Sequence, residues 1–200
     1  MKNFVDVDTV RVPDNRCKIE ETLNLSNFVL NEANKNHKPF HTLVLSTTDG
    51  NYVNSRVMVM RQFNSDERTI YFHTDFRSPK IHDIEFNKNA SVIGYCSDLK
   101  TQIKLHGTIE VNYDNEITKN AWDNMSEFSR KSYTNEGVPS DTINYLDKKH
   151  YRNDGYNNFA VMIFTYTSLE FLFFLKHSGH IRARHTWDSD NILKSSWLFP

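Results

Sequence analysis

The sequence predicts a mainly β protein with flanking helices, whose strands form a closed or nearly closed antiparallel barrel. About seven or eight runs of strand-forming residues occur along the chain with turn signals between them, as in small barrels. Residues 101–111 alternate most clearly, with Ile103 and Leu105 on one side and Lys104 on the other. An Asp-Gly pair at positions 49–50, between two β-rich runs, is a strong hairpin signal.

The predicted strands follow one another in short order. They are two runs within residues 41–63, then residues 69–74, 90–96, 101–111, 159–166, 169–175 and 181–187, the last strand. No repeat, low-complexity tract or linker divides the chain, so residues 1–200 are predicted to be a single domain. Its parts are the N-terminal helix at 17–35, the main barrel strands at 40–112, a helix and loops at 115–157 and the C-terminal strands at 158–200.

Three segments are predicted to be helical. Residues 17–35 place apolar side chains on one face and acidic side chains in the first turn, where they suit the helix dipole. A short helix of about ten residues follows Ser78, and residues 115–133 form the third. The candidates for the buried face of this third helix are Ile117, Trp122, Met125 and Phe128. Residues 134–157 are polar, and we expect a loop with one or two helical turns.

The composition is that of a globular chain with balanced charge. Hydrophobic residues make up 38% and charged residues 24% of the 200, unlike a disordered chain. With 24 basic and 25 acidic side chains the formal net charge is -1, which argues against general nucleic-acid binding. The longest apolar run, residues 171–175, is too short to span a membrane, and no signal-peptide pattern is evident. We therefore expect a cytoplasmic protein. Cys17 and Cys96 are far apart and have no metal-like spacing, and we expect both to be reduced thiols.

The segment around Ser78 carries more positive charge than a helix start requires. Ser78 is a good N-cap residue and Pro79 suits the first helical position, so a helix is predicted to begin here. Arg77 and Lys80 add positive charge where the helix dipole is already positive, an arrangement that a bound anion would compensate. Taken alone, the segment is explained more simply as an ordinary Ser-Pro helix start with two solvated cations.

Three further polar residues favour an anionic ligand. Arg56 is assigned to the polar-facing side of its strand, and Arg61 ends the same strand. In a regular strand the two face opposite sides, so a bulge or a terminal twist is needed to bring both to one ligand. Gln102 begins a polar strand face, where its amide can donate to and accept from a planar polar ring. For each of these residues an ordinary surface position is the alternative.

The segment HSGHIRARHTW, near the C-terminal end, concentrates histidine and arginine. The spacing of His177, His180 and His185 is not a recognised zinc pattern, so no metal site is predicted. Arg182 and Arg184 share strand parity and suit phosphate or carboxylate, unless they only protect a charged edge strand. No nucleophile elbow, phosphate-binding loop or GxGxxG motif occurs. No catalytic residue is predicted, and we expect a bound ligand to carry the chemistry.

The order of these motifs resembles the pyridoxamine 5′-phosphate oxidase-like family of FMN-binding split barrels. SRVMVMR is followed by IYFHTDFRSPK and QIKLHGTIEV, and NFAVMIF, SLEFL, HIRAR and WLFP extend the resemblance to residues from about 40 to 200. It implies a split β-barrel that forms a homodimer with FMN at the subunit interface. The implied activity is that of an oxidoreductase, with hydride transfer between the flavin and a small-molecule substrate.

The resemblance also implies a cofactor site, residue by residue. Five features of the family's cofactor site have counterparts in this sequence. They are a basic strand motif, a residue pair near the flavin and its ribityl chain, a phosphate-binding Ser-Arg-Lys motif, a strand glutamine and a late arginine. The implied cofactor-binding residues are Arg56, Arg61, His73, Thr74, Arg77, Ser78, Lys80, Gln102 and Arg184. Arg77 is included because Pro79 occupies the place of the motif's middle arginine.

The substrate residues of the family match less closely. Leu172 stands where the authentic oxidase has a tryptophan, and AWDNMSEFSRKSY replaces the helix that holds the substrate phosphate. Arg130 and Arg182 are the candidates for substrate binding. Besides the leading oxidoreductase, the alternatives are an authentic pyridoxamine/pyridoxine 5′-phosphate oxidase, a flavin reductase-like enzyme, a non-catalytic flavin-binding protein and a haem- or other tetrapyrrole-handling split barrel.

Overall fold

Eight antiparallel strands and four α-helices make up the described part of the chain. The computed structural model describes residues 16–35, 38–143, 151, 154–175 and 179–200. The strands are β1 Thr42–Thr48, β2 Val53–Asn64, β3 Thr69–Asp75, β4 Asn89–Cys96, β5 Thr101–Tyr113, β6 Phe159–Phe173, β7 Ile181–Trp187 and β8 Leu193–Leu198. The helices are α1 Ile19–Glu32, α2 Pro79–Phe86, α3 Glu116–Asp123 and α4 Glu127–Arg130, with 3-10 turns at Lys131–Tyr133 and Tyr156–Asn158.

Six of the strands close into a barrel, as the alternating sequence predicts. The strand order is β3-β2-β1-β4-β5-β6-β7-β8, and β3 also pairs with β6. Seven consecutive antiparallel pairs, from Thr69↔Thr165 to Asp75↔Phe159, make this closure. β7 and β8 continue the sheet beyond β6, outside the closed ring. The predicted mainly β barrel with flanking helices is confirmed.

The barrel interior is filled by the inward side chains of every barrel strand. The alternation predicted for β5 is confirmed, since Ile103, Leu105 and Ile109 are each 2% exposed or less. From the other strands the interior receives Leu45, Met60, Ile70, Phe72, Val92 and Phe164. α2 packs against β1 and β5, and α3 packs against β5 and β6. None of the helices in the described ranges has the length and apolar character needed to traverse a bilayer.

The hairpin signal at positions 49–50 is confirmed between β1 and β2. Asp49 Oδ1 accepts hydrogen bonds from the amides of Asn51 and Tyr52, which closes the turn. Gly50 adopts φ +92°, a conformation that residues with a Cβ rarely reach.

The two predicted strands at 159–166 and 169–175 are one strand, β6. Tyr166 pairs with Gly107 and Ser168 pairs with His106, so Thr167 is an extra residue that bulges without ending the strand. The prediction that residues 181–187 form the last strand is wrong, because a turn held by Asp188 leads into β8. The predicted loop at 134–157 lies partly outside the described residues, at 144–150 and 152–153.

The predicted helix at 115–133 is broken in two. Asn124 caps the end of α3, and the Ser126 hydroxyl accepts a hydrogen bond from the Ser129 amide to start α4. The break changes which side chains face inward. Phe128 is 84% exposed and Ile117 is 41% exposed, so their predicted places in the buried face are wrong. The capping residues Asn124 and Ser126 therefore end one helix and start another within a segment whose apolar spacing predicts a single helix.

Gly107 is required by the close approach of β5 and β6 at the bulge. A Cβ on Gly107 would overlap the carbonyl oxygen of Thr165 and lie 2.6 Å from Tyr166 Cα, both of which are backbone atoms. We predict that Gly107→Ala lowers the free energy of unfolding by about 3 kcal/mol or more, because backbone cannot yield as a side chain can. Gly137→Ala is the control, since its nearest neighbour would be a side-chain atom at 3.6 Å. Equal urea midpoints for the two variants would contradict this account.

Candidate functional site

Lys80 lies between two hydroxyls at the N-terminus of α2. Its Nζ donates to Thr74 Oγ1 at 3.1 Å and to Ser78 Oγ. Among the described residues it forms no ion pair with a carboxylate. Burial lowers the pKa of Lys80, and repulsion from Arg56 lowers it further. The Asp75 and Asp83 carboxylates attract the ammonium from farther away, but both of its hydrogen-bond partners are neutral, and an anion is favoured at such a partly buried site.

The local sequence positions Lys80 in the way the Ser-Pro signal predicts. Ser78 is the N-cap of α2 in an extended conformation, and Pro79 is the first helical residue. The Ser78 hydroxyl makes no capping bond to the helix and receives the Lys80 ammonium instead. The amide of Lys80, in the first turn, has no intrahelical acceptor. Two kinds of donor therefore meet at this helix start.

Arg56 joins the same cluster from β2. Its Nη1 donates to Thr47 Oγ1 at 2.7 Å, and its Nη2 lies 3.3 Å from Asp83 Oδ2. The assignment of Arg56 to the polar-facing side of β2 is wrong, because its side chain lies on the inward side of the strand. Its side chain shares parity with Met60, which is 1% exposed, whereas Val57 on the other parity is 67% exposed. The buried carboxylate of Asp83 makes the inward position tolerable for a guanidinium.

Arg77 is held apart from this cluster. Its Nε and Nη2 donate to the two carboxylate oxygens of Asp75 at 3.0 and 2.7 Å. Two further bonds reach the carbonyls of Glu136 and Asn135. The Asp75 carboxylate raises the pKa of Arg77 above its usual value. Four of the five N–H groups of the guanidinium are thus engaged, which leaves Arg77 little capacity to replace an arginine at Pro79.

Arg61 lies at the bulge that the sequence argument required, but it faces a different space. Met60 pairs with Phe72 and Gln62 pairs with Tyr71, so Arg61 is the extra residue of β2. It lines an open cavity of about 550 Å³. The polar lining of this cavity includes Arg61, His73, Asn120, Asn124, Ser126 and Ser129. Arg56 is not part of this lining.

His73 is a neutral side chain in the wall of the cavity. Burial, together with repulsion from Arg61, lowers the pKa of His73 to about 4. Its ring packs edge-on against Phe159 at 4.9 Å, and Nδ1 is buried without a hydrogen-bond partner. His73 and Thr74 are consecutive in β3, so they face opposite sides of the strand. The predicted pair is therefore divided between the cavity and the Lys80 cluster.

A second cationic cluster covers the outer face of β5, β6 and β7. Glu170, only 2% exposed, is ion-paired to Arg182 at 2.5 Å, to Arg184 at 3.0 Å and to Lys104 at 3.2 Å. Three cations on one carboxylate leave a net charge of +2. The predicted shared parity of Arg182 and Arg184 is confirmed. Gln102 pairs with Leu172, and Leu172 pairs with Arg182, so Gln102 lies on the same face.

The remaining candidates have structural contacts of their own. Arg130 donates to the carbonyls of Trp122 and Asp123 and lies over the Trp122 ring at 5.4 Å. It is absent from the cavity lining. His185 is buried between the hydroxyls of Thr22 and Ser195, at 2.9 Å from each.

The predicted absence of a metal site concerns the histidines near the C-terminal end. His177 lies outside the described residues. Within the described ranges, no group of three or more His, Cys, Asp or Glu side chains is placed to hold a metal ion.

Sequence reasoning missed the carboxylates that organise the two cationic clusters. Asp83 holds Arg56 and Glu170 holds the outer cluster, yet neither stands out among 25 acidic residues. A signal existed for Asp83, because it follows Lys80 by three positions and so lies on a neighbouring part of α2. The alternation of β6 gave no comparable signal, since apolar residues flank Glu170 on both sides.

The closed six-stranded barrel with flanking helices and an added outer hairpin is that of the split-barrel proteins. Residues 25–113 match the family described as pyridoxamine 5′-phosphate oxidase, FMN-binding domain. The match includes the strands that carry Arg56, Thr74 and Gln102 and all of α2. The resemblance drawn from the sequence motifs is thereby confirmed. No curated protein matches the chain significantly.

Solved structures of related proteins share the fold. A pyridoxamine 5′-phosphate oxidase-related, FMN-binding protein from Nostoc punctiforme aligns with a TM-score of 0.67 and 18% identity, over 96% of this chain and 100% of its own. PhzG from Burkholderia lata, in complex with tetrahydrophenazine-1-carboxylic acid, aligns with a TM-score of 0.65 and 18% identity, over 80% of this chain and 82% of its own.

A third structure is a Clostridium acetobutylicum protein of the pyridoxinephosphate oxidase family, related to general stress protein 26. It aligns with a TM-score of 0.54 and 13% identity, over 83% of this chain and 95% of its own. At these identities the likeness shows the fold that the three proteins share with this chain.

Glu170 makes the outer cluster dependent on pH. Burial alone would raise the pKa of Glu170, but hydrogen bonds from Arg182, Arg184 and Lys104 lower it to about 2. Its stabilising contribution is therefore complete above the usual glutamate pKa of about 4.3 and is lost as the pH falls to about 2.

We predict that Glu170→Gln lowers the free energy of unfolding at pH 7 by about 2–3 kcal/mol and flattens its decline between pH 4.5 and 2. Glu110→Gln, at an exposed position of β5, is the control. Urea titrations across this pH range measure both effects. Parallel pH profiles for wild type and Glu170→Gln would show that Glu170 does not carry this stability.

Proposed function

We propose that the chain binds FMN and acts as an oxidoreductase on a small-molecule substrate. Lys80 carries the proposal, because its partly buried ammonium has hydroxyl partners and no carboxylate among the described residues. It lies within the domain that matches the FMN-binding family. A phosphate is the anion that would complete its coordination.

The donors around Lys80 fit a phosphate group. Arg56 uses three of its five N–H groups for Leu45, Thr47 and Asp83, so Nε–H and one Nη2–H are left to donate. Lys80 uses two of its three N–H groups for Thr74 and Ser78. The backbone amide of Lys80 adds a donor at the positive end of the helix. These groups would hold the FMN phosphate, with charge-assisted bonds of about 1.5–3 kcal/mol each.

The outer cluster supplies candidates for contact with the flavin ring. Gln102 and Arg184 lie on one face of β5–β7, where an amide and a guanidinium can bond polar ring atoms. Bound FMN would supply the hydride chemistry, which needs no protein nucleophile. The chain's part is to bind, orient and enclose the reactants.

The cavity beside β3 is the proposed substrate site. Arg61, exposed and without an ion pair among the described residues, offers a charge for an anionic substrate group. His73 stays neutral above a pH of about 4, and because its Nδ1 is buried, only Nε2 can offer a hydrogen bond, as donor or acceptor according to the tautomer. Asn120 and Asn124 add amides that bind polar groups of either kind.

Non-catalytic flavin binding is the second candidate. It is favoured by Leu172 and by Arg130, which is held by backbone carbonyls rather than presented to the cavity. The same two residues place authentic pyridoxamine/pyridoxine 5′-phosphate oxidation behind it. Anaerobic addition of pyridoxamine 5′-phosphate to the flavin-loaded protein separates the candidates. Bleaching of the flavin band indicates the oxidase, whereas a flavin spectrum that stays oxidised with every candidate organic substrate indicates a binding protein.

A homodimer with FMN at the subunit interface, in the cytoplasm, completes the proposal. An uncharged outer face supports it, where Val53 and Val57 of β2 are 74% and 67% exposed. Ile93 of β4 lies opposite Val44, which itself lies opposite Val57, so the apolar row crosses three strands.

We expect the protein to have a dimeric mass in light scattering, and we expect Val57→Glu to shift that mass to the monomer. A wild-type monomer with FMN bound would contradict this arrangement.

The phosphate assignment is tested by removing Lys80. We predict that Lys80→Ala weakens FMN binding by about 10- to 100-fold while riboflavin, which lacks the phosphate, binds as before. Adding Arg56→Ala should weaken FMN binding further. Lys88→Ala, an exposed lysine just after α2, is the control. Flavin fluorescence titration measures each affinity, and an unchanged FMN affinity in the double variant would refute the assignment.

A further inference from the structure

We infer that Asp83 is a positioning residue for the ligand phosphate, because it orients Arg56 toward the N-terminus of α2. The inference rests on the proposed FMN function. It assigns a role in phosphate binding to a carboxylate, although the carboxylate and the phosphate are both negatively charged. Asp83 is 4% exposed and lies in the same short helix as Lys80, for which Ser78 is the N-cap.

Three polar side chains converge on the Asp83 carboxylate. Thr47 Oγ1 donates to Oδ2 at 2.6 Å, Asn54 Nδ2 donates to Oδ2 at 3.2 Å, and Arg56 Nη2 donates to Oδ2 at 3.3 Å. Thr47 is itself 2% exposed. A buried carboxylate with three donors from β1 and β2 ties α2 to both strands.

The hydrogen-bond directions make a closed ring. Because the single hydroxyl proton of Thr47 goes to Asp83, Thr47 Oγ1 must accept the bond from Arg56 Nη1 at 2.7 Å. Arg56 therefore meets Asp83 twice, directly through Nη2 and through Thr47. Two contacts fix the plane of the guanidinium, and the N–H groups that remain are presented in one direction.

The charge of Asp83 alone works against phosphate binding. Arg56 and Lys80 contribute two positive charges and Asp83 one negative charge, which leaves +1 for a phosphate dianion. Removal of a carboxylate beside an anion site should tighten binding if only Coulomb energy matters. Asp83 also relieves the repulsion that Lys80 feels from Arg56. Without Asp83, Arg56 would keep one hydroxyl and one long carbonyl contact, at 2.7 and 3.4 Å, and its partly exposed side chain could turn to solvent.

A positioning role and the charge of Asp83 alone thus predict opposite effects of Asp83→Asn on the affinity for FMN. Positioning predicts that FMN binds about 5- to 20-fold more weakly, because an amide cannot replace the charge-assisted bond, while riboflavin binds within about twofold of wild type. The ratio of FMN to riboflavin affinity isolates the phosphate contribution. Tighter FMN binding, or an equal loss for both ligands, would overturn the inference.

Two further variants keep the experiment decisive. Glu85→Gln removes one charge from the exposed side of the same helix and should leave both affinities within about twofold, since no contact to Arg56 is broken. Thr47→Val removes the bridging hydroxyl without changing charge and should lower the FMN to riboflavin ratio by about 3- to 10-fold. If Asp83→Asn does not fold, Thr47→Val decides, and an unchanged ratio overturns the inference. Failure of wild type to bind FMN would refute the proposed function instead.

Discussion

The pairing of β3 with β6 is the constraint on which the rest of the molecule depends. It closes the barrel through seven residue pairs and uses only the first half of β6, up to Thr165. The second half pairs with β7, and the bulge at Thr167 lies where one partner gives way to the other. One long strand therefore closes the barrel and carries the outer hairpin. The Lys80 cluster depends on the closure because β3 ends beside it, and the Glu170 cluster depends on the continuation.

Each of the two cationic clusters contains a buried carboxylate that binds arginine. Asp83 binds one arginine and Glu170 binds two arginines and a lysine. A carboxylate in such a place is costly to bury alone and is stabilised only by its partners. The partners in turn are fixed in orientation and keep donors free for a ligand. Local positive charge of this kind is compatible with a formal net charge of -1, because each carboxylate offsets only part of its cluster's charge and the other acidic residues of the chain offset the rest.

Local signals in the sequence predicted the parts that depend on local physics. The Asp-Gly hairpin, the Ser-Pro start of α2 and the alternation of β5 follow from turn geometry, capping and burial, and all are confirmed. The bulge that the spacing of Arg56 and Arg61 required is present, yet it aims Arg61 into the cavity.

The failures have long-range causes. The inward side of β2 could not be read from its own residues, because Asp83 in α2 makes Arg56 acceptable inside. The continuity of β6 depends on Gly107 in another strand. Arg77 is different, because its ion-pair partner Asp75 is a close neighbour in the sequence that the sequence argument overlooked, and only the carbonyls at residues 135–136 are distant. Periodicity carries no information about such partners.

The central claim is that the N-terminus of α2 is a phosphate site completed by Arg56. A crystal structure of the protein grown with FMN tests it most directly. The account predicts the phosphate within hydrogen-bond distance of Lys80 Nζ, Ser78 Oγ and the Nε edge of Arg56, with Asp83 still bound to that arginine. FMN found with its phosphate on Arg61 in the cavity, or on the outer cluster of Arg182 and Arg184, would contradict it.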